Sequence, residues 1–150
     1  MCGITGSVWT DNSRLISRNQ LERMTTSLSH RGPDDVGNYY LEQDATKVSP
    51  AVALGFRRLS IIDLTTGHQP IANEEESIWL VFNGEIYNYR ELKAELLADG
   101  HQFRTSSDSE VIVHLYEKYG TEMFQHLNGM FSLAIWDNRE KQLVLGRDRL

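Results

Sequence analysis

The sequence predicts an α+β fold in which helices are layered on largely antiparallel sheets, and three observations lead to this prediction. Strand-like and helix-like segments come in blocks, without the strict strand–helix alternation that is typical of a parallel sheet. The apolar runs 130–136 and 142–145 are separated by a short polar connection, which predicts an antiparallel hairpin. The run 78–82 is apolar without a break, as expected for a strand covered on both faces.

Local patterns predict the remaining elements in chain order. Residues 2–9 alternate small, β-branched and aromatic side chains, which is typical of a buried strand. Ser17 and Gln20 match a capping box that begins a helix, and the helical repeat stops before a Gly-Pro pair. Apolar segments at 36–41 and 51–56 predict two further strands.

Two later helices are predicted from start and stop signals of the same kind. Asn88 followed by Glu91 predicts one capped start, and Gly100 is placed for a left-handed helix end. Ser107 followed by Glu110 predicts a second start, and that helix continues through an apolar stripe. Without an internal repeat, a Pro-rich linker or a block of charge, we expect one domain over residues 1–150. The abrupt stop after a strand suggests a fragment of a longer chain.

Composition restricts the class of protein. The chain has 150 residues, with 15 Lys and Arg against 21 Asp and Glu, and its net charge of −6 makes nucleic acid or an anionic membrane a poor partner. No apolar run approaches the roughly 20 residues of a membrane helix, and the N-terminus lacks the pattern of a signal peptide. One cysteine excludes an internal disulfide and a Cys-based zinc site. We therefore expect a cytoplasmic protein that binds neither nucleic acid nor membrane.

Cys2 is the most informative residue for function. A lone cysteine is most often a small buried hydrophobe. If Met1 is removed, however, Cys2 carries both a thiol and a free α-amine, whose pKa near 8 leaves roughly a tenth of it neutral at pH 7. A thiol must be deprotonated to attack a carbonyl, so this residue would contain both the nucleophile and its general base.

A second candidate feature is Asn83-Gly84-Glu85, which directly follows the apolar run 78–82. An Asn-Gly pair is often only a hairpin turn. The residues that follow resemble a helix start and not a returning strand, so an alternative is that the Asn amide and the Gly N–H form an oxyanion hole at a strand end. Glu85 would then supply an anion for an ammonium group.

Two further polar positions fit the same chemistry. Arg57 and Arg58 end an apolar strand, and one of the two is able to grip a carboxylate bidentately, although most such arginine pairs only mark a solvated strand end. Asp108 lies at a helix start, where an acid is favoured by the helix dipole, and it would equally serve as a second anion for an amine. Together the candidates suit an α-amino acid that bears a reactive side-chain carbonyl.

Other sites are not indicated. The sequence has no phosphate-binding glycine motif of either common kind. The five histidines show no pairing four residues apart with a carboxylate between, so no metal site is predicted.

The sequence resembles the glutaminase domain of class II glutamine amidotransferases, most closely that of glutamine-hydrolysing asparagine synthetases. The resemblance covers essentially the whole chain. It is carried by Met1-Cys2-Gly3-Ile4, His30-Arg31-Gly32-Pro33-Asp34, Arg58-Leu59-Ser60-Ile61-Ile62-Asp63, Gly67 with Gln69-Pro70, Phe82-Asn83-Gly84-Glu85-Ile86-Tyr87-Asn88, Ser107-Asp108-Ser109-Glu110, Gly129-Met130-Phe131 and Gly146-Arg147-Asp148.

The resemblance implies an N-terminal-nucleophile fold, which is a four-layer α/β/β/α sandwich. It also implies that Cys2 attacks the side-chain amide of glutamine, releasing ammonia and leaving a glutamyl thioester that water hydrolyses. The oxyanion would be held by Asn83 and the Gly84 N–H. The implied substrate contacts are Arg58 on the α-carboxylate, Glu85 and Asp108 on the α-ammonium, and the backbone of Leu59, Ser60, Ile61 and Ile62.

The resemblance further implies partners outside these residues. Ammonia would pass to a C-terminal synthetase domain in which ATP and Mg²⁺ activate aspartate, so the present domain would need no cofactor of its own. Relatives of this kind often pair, which suggests a homodimer. One alternative keeps the glutaminase and changes the carboxylate that accepts the ammonia. A non-catalytic alternative is a module that senses glutamine without hydrolysing it.

Overall fold

The computed structural model describes residues 2–11, 14–42, 49–59 and 67–149. Eleven elements lie in these ranges. In chain order they are β1 (Gly3–Trp9), α1 (Arg18–Ser27), β2 (Asp35–Tyr40), β3 (Ala51–Arg58), β4 (Ile71–Ala72), β5 (Ile78–Ile86), α2 (Tyr89–Ala98), α3 (Asp108–Tyr119), a 3₁₀ helix (Gly120–Gln125), β6 (Gly129–Asp137) and β7 (Gln142–Arg147).

The strands form two sheets, and every pairing within them is antiparallel. The first sheet has the order β1-β3-β2, with Gly3 opposite Arg57 and Asp35 opposite Arg58. The second has the order β4-β5-β6-β7, and β6 and β7 form the predicted hairpin. Since β4 has only two residues, it pairs with β5 only at Trp79 and Leu80.

The unbroken apolar run of β5 is buried on both faces of the strand. Successive side chains in a strand point to opposite faces. Ile78, Leu80 and Phe82 pack into a core with α2 and α3, whereas Trp79 and Val81 pack into a second core with the first sheet. Both faces of this strand are therefore covered, as the sequence predicted.

Strand β3 has the same role in the first sheet. Its residues Val52, Leu54 and Phe56 belong to the core between the sheets, while Ala51 and Ala53 pack with Leu21 of α1 in a third core. The layers are therefore α1, first sheet, second sheet, and then α2 with α3. This is the four-layer α/β/β/α sandwich that the resemblance implied.

Helix starts follow the predictions only in part. Ser17 and Gln20 form a complete capping box at α1. The capping box predicted at Asn88 is wrong, because the Asn88 side chain makes no capping bond and instead bridges the His126 carbonyl and the Asn128 amide. The Asn88 side chain makes two hydrogen bonds to the segment before β6, whereas a helix cap would give it one.

The predicted capping box at α3 is half correct. The Ser107 hydroxyl accepts a hydrogen bond from the Ser109 amide, as a cap should. The Glu110 carboxylate, however, turns to the preceding segment, where it accepts bonds from the backbone amides of Arg104 and Thr105 and from the Thr105 hydroxyl. Three donors outweigh the single amide that a capping box offers.

None of the helices in the described ranges is long and apolar enough to cross a membrane.

Candidate active site

Cys2 lies immediately before β1, against the end of β3. Its Sγ accepts a hydrogen bond from the Leu59 amide at 3.4 Å and lies 3.9 Å from the Leu59 carbonyl oxygen. The Arg31 Nε donates to the Cys2 carbonyl oxygen at 3.1 Å. Two segments that are distant in sequence therefore hold the half-buried Cys2, one at its thiol and one at its carbonyl. Leu59, which contacts the thiol, is one of the predicted substrate-contacting residues.

The loop after α1 packs closely on the same end of β3. A side chain at Gly32 would come within 2.6 Å of the Arg57 carbonyl oxygen and the Arg58 amide nitrogen. Arg57 Nε donates to the Gly32 carbonyl oxygen at 2.8 Å, and the Asp34 amide donates to the Arg58 carbonyl oxygen at 3.0 Å. The loop after α1 therefore supports both Cys2 and Arg58.

The Asn83-Gly84-Glu85 segment lies inside β5, and the expectation of a strand end at Phe82 is corrected. Pairing with β6 continues without interruption to Ile86. What ends near this point is the neighbour on the other side, since β4 reaches no further than Leu80. We call residues 83–86 the open edge of β5.

The direction of the backbone amides along this edge follows from their partners. In an antiparallel strand, alternate residues direct their N–H and C=O groups to the same side. The Phe82 amide donates to Gln69 Oε1 at 2.6 Å, and the Ile86 amide donates to Asp108 Oδ2 at 2.9 Å, both away from β6. The Gly84 N–H, midway between them, points to the same side.

Close packing against β6 requires a glycine at position 84. A Cβ at this position would lie 2.2 Å from the Met130 carbonyl oxygen and 2.6 Å from the Phe131 Cα. The Phe131 N–H and C=O both bond to Asp148, on the β7 side of β6. Phe131 therefore makes no backbone hydrogen bond to the opposing Gly84. The two residues form a non-hydrogen-bonded antiparallel pair, in which the backbones approach closely.

Asn83 and Cys2 face the same layer. Asn83 lies two and four residues after Val81 and Trp79, so its side chain is on the β5 face that packs against the first sheet. Cys2 and Ile4 pack against that same inter-sheet core. The Cys2 thiol and the Asn83 carboxamide therefore face the same inter-sheet layer from opposite sheets.

Arg58 lies at the end of β3, next to Gly67. A Cβ on Gly67 would lie 2.5 Å from an Arg58 Nη2 atom, so the guanidinium rests directly over the glycine backbone. The absence of a side chain at position 67 lets the guanidinium take this place. Arg58 is adjacent in sequence to Leu59, whose backbone contacts the Cys2 thiol.

Asp108 and Glu85 place two carboxylates beside the open edge. Burial raises the pKa of Asp108 above its ordinary value of 3.8, and the negative charge of Glu85 raises it further, against the bond from the Ile86 amide. The mutual repulsion of the two acids makes this corner attractive to a cation. Asp108 is held at the α3 N-terminus, whereas Glu85 is exposed on β5.

Three predicted residues, Ser60, Ile61 and Ile62, lie outside the described residues, as does Met1. Among the residues that the structure does describe, Cys2 belongs to no convergent set of three metal-ligating side chains.

Sequence reasoning assigned no role to three supporting residues. Arg31 binds the Cys2 carbonyl, Gly67 makes room for Arg58, and Gln69 binds both the amide and the carbonyl of Phe82. Each belongs to a motif that carried the resemblance. Contacts between distant segments produce no periodic pattern in the sequence. The motifs of the resemblance were therefore the one feature from which these roles could have been predicted.

A four-layer sandwich with a cysteine at the start of its first strand is the architecture of the N-terminal-nucleophile amidotransferases. Two solved structures share the fold. One is described as the allosteric regulatory enzyme of purine biosynthesis (TM-score 0.69, 20% identity, 97% of this chain and 37% of that one). The other is a glutamine phosphoribosylpyrophosphate amidotransferase from B. subtilis in complex with ADP and GMP (TM-score 0.68, 21% identity, the same coverage).

The chain belongs to the glutamine amidotransferase domain family, which it matches over residues 1–150. It is 45% identical over 151 residues to glutamine-hydrolysing asparagine synthetase 2 of Bacillus subtilis (strain 168), covering 99% of this chain and 19% of that protein. It is 41% identical over 150 residues to the glutamine-hydrolysing asparagine synthetase of Zea mays, covering 100% of this chain and 24% of that protein. The chain therefore spans about a fifth to a quarter of the length of these relatives.

Proposed function

We propose that this domain hydrolyses the side-chain amide of glutamine at Cys2 and supplies the ammonia to an asparagine synthetase reaction. One observation carries the proposal. The Cys2 thiol and the Asn83 carboxamide face the same inter-sheet layer, and the Gly84 N–H beside them points away from β6. The relatives named above are glutamine-hydrolysing asparagine synthetases, which supports aspartate as the acceptor in the complete protein.

The proposed first step forms a bond between the Cys2 sulfur and the amide carbon. With Met1 removed, the neutral α-amine takes the thiol proton as the sulfur attacks. The carbonyl oxygen becomes an oxyanion, held by the Asn83 amide and the Gly84 N–H. The same proton then passes to the leaving nitrogen, the C–N bond breaks, and ammonia departs, leaving a thioester. Water cleaves the thioester to glutamate and restores the thiol.

Substrate recognition follows the charges of an α-amino acid. The Arg58 guanidinium would bind the α-carboxylate, and its position over Gly67 fixes its direction. Glu85 and Asp108 would bind the α-ammonium, whose positive charge relieves their mutual repulsion. The Leu59 backbone, and by resemblance that of Ser60, Ile61 and Ile62, would complete the pocket.

The remaining parts of the proposal concern the complete protein. A C-terminal synthetase domain would receive the ammonia, and ATP and Mg²⁺ would bind there and not among these residues. A homodimer is part of the same proposal. We also propose a cytoplasmic location, where a reducing environment keeps a nucleophilic thiol active.

Replacing the nucleophile tests the proposal directly. In the full-length protein, Cys2→Ala should reduce the release of glutamate from glutamine to the uncatalysed background, because no other group can form the thioester. The same variant should still make asparagine from aspartate, ATP and added ammonia, which is the control for an intact synthetase. Equal glutaminase rates in the two proteins would refute the proposal.

Two further measurements address the general base and the acceptor. Mass spectrometry of active protein should find Cys2 as the first residue, and a retained Met1 would exclude the α-amine as base. If glutamine is hydrolysed while aspartate is never amidated, the acceptor is another carboxylate. If calorimetry detects glutamine binding without any turnover, the domain is a sensor.

A further inference from the structure

A second cluster of functional side chains lies in the helix layer, away from Cys2. His101 follows the turn after α2, and His114 and Glu117 are three residues apart on α3. One potential ligand atom from each lies within 4.8 Å of the others. His114 Nδ1 is 2.8 Å and His101 Nδ1 is 3.5 Å from the same Glu117 Oε2. Two imidazoles thus converge on one carboxylate oxygen.

These separations suit a small tetrahedral ion. Zinc binds nitrogen and oxygen ligands at about 2.0–2.2 Å, which places neighbouring ligand atoms about 3.3 Å apart. The two distances to Glu117 Oε2 lie on either side of that value. The two imidazole nitrogens lie within 4.8 Å of each other, so side-chain rotations that bring them closer would complete the coordination of all three atoms.

The buried ring of His114 has an unsatisfied nitrogen. His114 is 1% exposed, and its Nε2 has no hydrogen-bond partner among the described residues. When Nδ1 carries the proton to bond Glu117, Nε2 is a buried acceptor with no donor, which is unfavourable. A metal ion on Nδ1 would move the proton to Nε2, which then faces Glu110 Oε1 at 4.0 Å. The ion would thus remove the unpaired buried acceptor and leave an N–H that faces a carboxylate, at a separation longer than a hydrogen bond.

Neighbouring groups already orient two of the three side chains, Glu117 and His114, as outer-shell residues do in metal sites. Asn73, itself buried, donates to Glu117 Oε1 at 2.8 Å, and this leaves Oε2 directed at the imidazoles. Phe103 packs edge-on against the His114 ring with centroids 4.6 Å apart. Glu110 is fixed by its bonds to the backbone of residues 104 and 105.

The cluster opens onto an acidic cleft of about 470 Å³. Its lining includes His101 and Glu117 together with Glu74, Glu75 and Asp99. An ionised rim of this kind attracts cations and leaves room for water on the fourth coordination position.

We propose that His101, His114 and Glu117 form a binding site for a divalent transition-metal ion of the zinc type. Two imidazoles and a carboxylate form a donor set that zinc accepts, whereas Mg²⁺ and Ca²⁺ prefer oxygen ligands. The bound ion fastens the turn after α2 to α3. No spacing in the sequence indicates this site, because His101 joins the pair only through the fold.

The test titrates the chelator-treated, full-length Cys2→Ser protein with Zn²⁺ by calorimetry. The Cys2→Ser background removes the thiolate as a competing ligand, so the result does not depend on the proposed glutaminase. We expect one ion per domain in excess of any bound by the same full-length protein carrying His101→Ala. Co²⁺ at the same site should give the visible absorption of a tetrahedral ion, and excess Mg²⁺ should not displace it.

Variants locate the ion. His101→Ala and Glu117→Gln should each weaken Zn²⁺ binding by about 100-fold or more, since loss of an outer-shell partner alone costs 10- to 100-fold. His126→Ala, which removes an exposed histidine outside the cluster, should bind as the parent does. Both ligand side chains are only partly buried, and circular dichroism checks that the variants fold. Absence of Zn²⁺ binding by the Cys2→Ser protein, or equal binding by His101→Ala and His126→Ala, would overturn the proposal.

Discussion

The two halves of β5 share one strand and one neighbour, β6, but differ in what covers their other edge. Over residues 78–82 the side chains fill two cores, β4 pairs with Trp79 and Leu80, and Gln69 binds the Phe82 backbone. Over the open edge there is no β4, and Gly84 and Glu85 are exposed. The covered half contributes stability, and the open half has backbone and side-chain donors available to a ligand.

The difference shows how a regular sheet makes room for a site without a break in the strand. Register with β6 is preserved through Ile86, so the positions of Asn83 and Gly84 are set by the same pairing that builds the core. Within the ranges that the structure describes, the shortness of β4 leaves this edge uncovered. A donor pair held on a paired strand is more rigid than one held on a free loop, as electrostatic stabilisation of an oxyanion requires.

The largest effect is expected from Asn83→Ala. Loss of one oxyanion donor should lower kcat for glutamine hydrolysis about 100- to 1,000-fold, with little change in KM. Steady-state kinetics measures this. The matched control is Val81→Ala, two residues earlier on the same face and 1% exposed, which should cost about 1.5–3 kcal/mol of stability and leave kcat unaffected in folded protein. A rise in KM at unchanged kcat for Asn83→Ala would contradict the oxyanion role.

A smaller effect is expected from Gln69→Ala at the boundary between the two halves. Gln69 is 6% exposed, and its amide satisfies both the N–H and the C=O of Phe82. Removing it leaves two buried backbone groups unpaired, so the free energy of unfolding should fall by about 1–3 kcal/mol. Urea denaturation measures the change, and Gln125→Ala on the exposed surface is the control. Equal stability of the two variants would mean that water replaces the Gln69 amide.

The smallest effect is a pH dependence of substrate binding that originates at Asp108. Its pKa is raised by burial and by Glu85, and only the ionised form attracts the α-ammonium of glutamine. KM should therefore increase as pH falls through this raised pKa. Asp108→Asn should raise KM about 10-fold at neutral pH, equivalent to about 1.4 kcal/mol, and flatten its pH dependence in that range. Glu91→Gln, an exposed acid in the first turn of α2, should behave as the parent. An unchanged pH profile in Asp108→Asn would remove Asp108 from the site.

The sequence by itself determined the elements whose signals are local. The apolar run of β5, the β6–β7 hairpin and the Ser17 capping box all depend on residues within a few positions of one another. The proposed chemistry of Cys2 could likewise be inferred from the sequence, because a nucleophile and a base on one residue need no partner from elsewhere in the chain. The motifs then identified the family.

The tertiary structure alone decided which groups share a space. It brought Cys2 to Leu59, the Arg58 guanidinium to Gly67, and His101 to His114, pairs that no spacing rule connects. It also placed Asn83 inside a strand and left that strand's edge open. Such contacts depend on sheet order and on where a neighbouring strand ends, which are set by packing of the whole domain and not by the residues on either side.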